Sequence, residues 1–126
     1  MQMIMFVLDD PEQLNDILDG WNALGISGVT LMESSGSYRH QAHLLGARHL
    51  TGATVLAQRI EEGHFTLFAV VPDVAAVQQC LAATEVVTGD LAQPNTGIFT
   101  SWEVGLTKGV PDQLQPDTHT WGERGQ

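Results

Sequence analysis

Three histidines, His40, His43 and His49, follow one another at spacings of three and six residues, with Arg39 and Arg48 set among them. Neutral imidazole is a ligand for zinc and copper, and this spacing suits a site on a turn or loop. The interleaved guanidinium groups repel a cation, however, and no cysteine stands near in sequence. The same stretch offers a second chemistry, in which Arg39 and Arg48 attract an anion such as bicarbonate or a phosphate. A third reading is a solvated polar loop that holds nothing. The residue types leave all three open.

The other reactive side chains point to ordinary structure. His64 follows Glu61 and Glu62, which offer it carboxylate partners. His119 lies near Trp121 in a polar stretch that reads as a docking contact. Cys80 falls on an apolar helical stripe and reads as a buried, unreactive thiol. Glu33 and Glu103 each sit on a strand and would form a carboxylate pair only if folding brought them together. Gly36 and Gly89 could let a phosphate approach main-chain amides, or serve simply as turn glycines. No Ser-His-Asp or Cys-His motif is present, so the expected function is not catalytic.

Two similar halves must position these groups. Residues 3–8 are almost wholly apolar, which reads as a strand buried on both faces. Asp10 can cap a helix with Pro11 at its first position and Gln13 completing a capping box. Leu14, Ile17, Leu18, Trp21 and Leu24 then form one apolar stripe, and Gly25 is a natural stop. Ile26 to Glu33 reads as a second strand. Residues 36–53 lose periodicity and read as a long loop, a length often tied to function. Ala53 to Ile60 has strand character, and residues 61–63 turn into a strand over 64–71. A second helix starts at Asp73, buries Val74, Val77, Cys80 and Leu81, and ends between Thr84 and Val87. Residues 88–97 form a loop, and Ile98 to Val104 the last strand. Strand, helix and strand, repeated, predict an α+β, ferredoxin-like βαββαβ sandwich, an antiparallel sheet with two helices on one face. Residues 1–108 make this single domain, and 109–126 a polar tail.

The bulk numbers exclude several classes. The 126 residues carry a formal charge of −10 with only five Lys and Arg, which argues against nucleic acid and acidic membranes. No apolar run approaches the ~20 residues of a membrane span. The opening residues lack the basic start of a signal peptide. A single cysteine excludes an internal disulfide and fits the reducing cytoplasm. Trp21 and Trp102 read as core or interface anchors.

Three segments carry a resemblance. Gly25-Ile26-Ser27-Gly28-Val29-Thr30, followed by Glu33 and Gly36, resembles the end of the first helix and the second strand of P-II signalling proteins, the nitrogen regulatory family. Val70-Val71-Pro72-Asp73 is similar to the start of their second helix. Thr88-Gly89 and then Ile98-Phe99 resemble their nucleotide-contacting loop and last strand. The resemblance implies a homotrimer that binds small effectors, usually adenine nucleotides, in clefts between subunits, and that touches a protein partner through the long 36–53 loop. It implies that Thr30, Gly36, Thr88 and Gly89 line the cleft and that Lys108 takes the place of a phosphate-binding basic residue. Trp102 would then lie near a neighbouring subunit. The family's Gly-Asp-Gly-Lys before the last strand reads Pro94-Asn95-Thr96-Gly97 here, without the lysine, and the second C-terminal basic position falls on Val110. The expected effector is therefore an adenine nucleotide with few phosphates, or a simple anion held with help from Arg39 and Arg48. The alternative is a divalent-metal protein resembling the CutA group, which shares the trimeric fold, using His40, His43 and His49.

Overall fold

The structure is a computed structural model and describes residues 1–37 and 64–111. It is α+β: four antiparallel strands in one sheet and two helices. The strands are β1 (Gln2–Leu8), β2 (Val29–Ser34), β3 (His64–Val71) and β4 (Gly97–Glu103), in the spatial order β2-β3-β1-β4. Helix α1 spans Leu14–Ala23, entered through a 3₁₀ turn at Pro11–Gln13, and α2 spans Val74–Thr88. The expected extra strand at 53–60 and the 36–53 loop beyond Ser37 lie outside the described residues, as does the tail from 112.

Strand alternation divides the sheet into two unlike faces. Ile4, Phe6 and Leu8 of β1 and Leu67, Ala69 and Val71 of β3 are buried together with Ile17 and Trp21 of α1 and Ala76, Val77 and Cys80 of α2. Both helices cover this face. Trp21 is fully buried yet satisfied: its indole N–H donates to the Thr84 hydroxyl (2.9 Å), which donates onward to the Cys80 carbonyl (2.7 Å). That short chain lets two polar groups sit in the core without the cost of an unmade bond.

The expectation that β1 is buried on both faces is corrected. Its other face carries Met3, Met5 and Val7, which are only half-buried, because among the described residues no element lies over them. The capping box is corrected too. Asp10 accepts from the Glu12 amide (3.0 Å), and the side chain of Gln13 reaches across to the Val87 carbonyl (3.4 Å) instead of back to Asp10. The second strand starts at Val29, not Ile26. Gly25, at φ 84°, closes α1 with paired bonds from its own amide to Asn22 (2.9 Å) and from the Ile26 amide to Trp21 (3.0 Å). Ile26 is buried as part of that helix stop, so it is not free to pair in the sheet.

Helix α2 departs in register. Asp73 caps it through the Ala76 amide (2.8 Å), as the sequence indicates. Its buried stripe is Ala76, Val77, Cys80 and Thr84, whereas Val74 is 56% exposed and Leu81 only half-buried. The helix also runs on through Thr88, one turn of residues the sequence reading left at its end and in the following loop.

Candidate functional site

Strand register shows which residues can meet. Leu8 pairs with Phe65 on one side and Gly97 on the other, and Ser34 pairs with His64. These residues therefore share one end of the sheet. Helix α2 leaves β3 at the far end and returns, and the bond from Gln13 to Val87 ties its last turn to the chain just after β1. Gly36, Thr88, Gly89 and Gly97 thus gather at one end, around Asp9 and His64.

Thr30 and Lys108 do not join them within this chain. Thr30 pairs with Phe68, midway along the exposed edge strand β2. Lys108 follows β4 off the opposite end, where Val104 bonds to the Met1 carbonyl (3.0 Å). The strands of this sheet are about 20 Å long, so the two ends are well apart. Arg39, Arg48, His40, His43 and His49 lie outside the described residues, as do Glu61, Glu62, His119 and Trp121. No three potential metal ligands come together among the described residues. Glu33 and Glu103 do not pair: β2 and β4 are the two opposite edges of the sheet, three strand spacings or about 14 Å apart.

The Thr88–Gly89 segment differs from the open phosphate cradle that two loop residues suggest. Thr88 is the last residue of α2, and its hydroxyl donates to the carbonyls of Thr84 (3.3 Å) and Gly89 (2.8 Å). Gly89, at φ 78°, is the helix cap and spends its amide on the Glu85 carbonyl (2.9 Å). The Leu91 amide donates to the Glu85 carboxylate (2.9 Å), and the Ala92 amide to that of Asp90 (2.9 Å). The Gln93 amide donates to the Asp90 carbonyl (3.0 Å). The negative end of a helix dipole adds to the two carboxylates. This end is electrically unsuited to a highly charged phosphate chain.

Gly97, where the resemblance would place a lysine, is closed to any side chain. Its φ is 136°, and an added Cβ would stand 2.6 Å from the Val7 carbonyl oxygen and 2.9 Å from the Phe6 ring. The loss of the lysine is therefore built into the backbone path.

Sequence reasoning missed two contacts here. The His64 imidazole Nε2 lies 3.8 Å from an Asp9 carboxylate oxygen, in place of the contact expected with Glu61 and Glu62. Continuing the β1–β3 register one residue past Leu8 and Phe65 puts Asp9 opposite His64, so strand pairing was the missing signal. The Ser34 and Thr66 hydroxyls share a bond of 2.8 Å beside them. Cys80 is as inert as its stripe suggests, its thiol pushed up to about 12 by burial, against a smaller lowering from the hydrogen bond with Thr84.

The open face of the sheet carries Met3, Met5, Val7, Phe68 and Val70, with Ile98 and Trp102 on the edge strand β4 exposed by 61% and 44%. By register, no Asp, Glu, Lys or Arg stands on this face of any of the four strands. In a chain of charge −10 that is a concentrated absence of charge. No helix among the described residues is long and apolar enough to cross a membrane. No family model matches the chain, and a search of curated proteins finds no match either.

Proposed function

We propose that this chain is a P-II-like regulatory protein of ferredoxin-like βαββαβ course, which assembles as a homotrimer and holds a small effector between subunits. The observation that carries this reading is the split of the site residues between the two ends of one sheet. Gly36, Thr88 and Gly89 gather at one end while Lys108 leaves from the other, so a site using all of them needs a second copy of the chain. The uncharged open face supports the assembly. Copies of a chain with charge −10 repel one another, and the contact that overcomes this must itself be apolar and free of like charges.

The effector is an adenine nucleotide with few phosphates. Its binding is read out through the segment that leaves β2 at Ser34 and returns at His64, whose 36–53 portion signals to a protein partner. The signal requires the effector to bind two states of that segment with different affinity. The protein performs no catalysis.

Light scattering on untagged protein tests the assembly, with a mass near three times 13.6 kDa expected. A thermal-shift screen against ATP, ADP, AMP, cyclic nucleotides, bicarbonate and divalent metals tests the site, since a ligand of the folded state raises the melting temperature. A monomer with no nucleotide response refutes the reading. A response to metals alone transfers it to the CutA-like histidine site.

A further inference from the structure

We infer that Glu85 and Asp90 are the specificity-determining residues of this effector site, and that they admit nucleotides of low charge while excluding polyphosphates. The inference rests on the placement of the effector at Thr88–Gly89 just proposed. A phosphate chain is bound by unspent main-chain amides and cations. Here the amides of Gly89, Leu91, Ala92 and Gln93 are all engaged within the chain. Two of the four partners are carboxylates, each at 2.9 Å. These carboxylates occupy the donors that a terminal phosphate would use, and they add negative charge where it would lie. The Gly97 backbone bars the lysine that would offset them.

The repulsion grows with ligand charge, so it penalises ATP more than AMP. The roles of the two residues are separable from folding. Glu85→Gln and Asp90→Asn keep an acceptor oxygen for the Leu91 and Ala92 amides but remove both charges. The test is calorimetric titration of AMP and ATP into the wild type and the Glu85→Gln/Asp90→Asn double variant at low salt, with thermal melting as a check that the fold is kept. The wild type should prefer AMP, and the variant should shift the ATP-to-AMP affinity ratio about tenfold toward ATP, the size expected for removing two nearby like charges. High salt should shrink the difference. AMP binding with a ratio unchanged in a folded variant overturns this inference and leaves the effector site standing. Failure of both proteins to bind either nucleotide overturns the site and the inference together.

Discussion

Phe6 and Phe68 are the same residue on paired neighbouring strands, and they face opposite ways. Phe6 is fully buried under the helices, with its ring centroid 6.4 Å from that of Trp21 and 6.2 Å from that of Phe99. Phe68 stands half-buried on the open face, opposite Met5 and Thr30. One face is finished by the chain itself. The other has the composition of a core without its cover, and an apolar sheet face of this kind points to contact with another molecule. Fold and function therefore divide between two sides of one sheet.

The sharpest way to break this comparison is to make one substitution on each side. Phe6→Ala should destabilise the protein by about 3–5 kcal/mol, the usual cost of emptying a packed aromatic site. Phe68→Ala should cost a dilute monomer about 1 kcal/mol, since half of the ring is already wet. The same change should reduce self-association measured by sedimentation. Equal losses of stability in denaturant titrations at low protein concentration would show that the open face is already covered within the single chain.

Gly97 tests the boundary of the covered face. Replacing it with Ala forces a Cβ against the Val7 carbonyl and asks an L-residue to hold φ 136°. A loss of about 2–3 kcal/mol is expected, because neither the contact nor the backbone can relax without moving the β1–β4 pairing. Gly89→Ala is the matched control. That glycine also has positive φ, at 78°, but nothing lies within 4 Å of the added atom, so only the backbone term remains and the loss should be smaller. Thermal melts of the two variants side by side measure the difference.

Much of this architecture was legible in the sequence. The apolar stripe of α1, the Asp73 cap and the burial of Cys80 each follow from a local pattern, and a local pattern needs no partner to be read. What failed depended on tertiary context. Val74 looks like a core residue until α2 is rotated so that Ala76 and Thr84 face Trp21, and only the indole's need for an acceptor makes a threonine a better core residue than a valine. Ile26 looks like a strand residue until the helix stop claims its amide. The site was less legible than the fold. Thr88 and Gly89 suggest a phosphate loop by type, but whether their neighbours' amides are free depends on where the carboxylates of Glu85 and Asp90 turn. Sequence spacing alone does not say.

The smallest predicted effect comes from the covered face at high pH. Burial raises the Cys80 thiol from 9.0 to about 12, so the folded protein holds its proton while the unfolded chain releases it. The raised value means that the thiol's contribution to stability is complete below pH 9 and is lost as pH climbs toward 12. The loss should approach about 1 kcal/mol per pH unit within that window and vanish below it. Cys80→Ala removes the titrating group. The variant should start less stable, because it leaves a small void beside Trp21, and then decline less steeply than the wild type between pH 9 and 11. Contributions from Tyr38 and Lys108 titrating in the same range are shared by both proteins and cancel in the difference. Parallel slopes would mean that the thiol reaches water in the folded state, and the helix-covered face would then be less tightly closed than the fully buried Cys80, Thr84 and Trp21 imply.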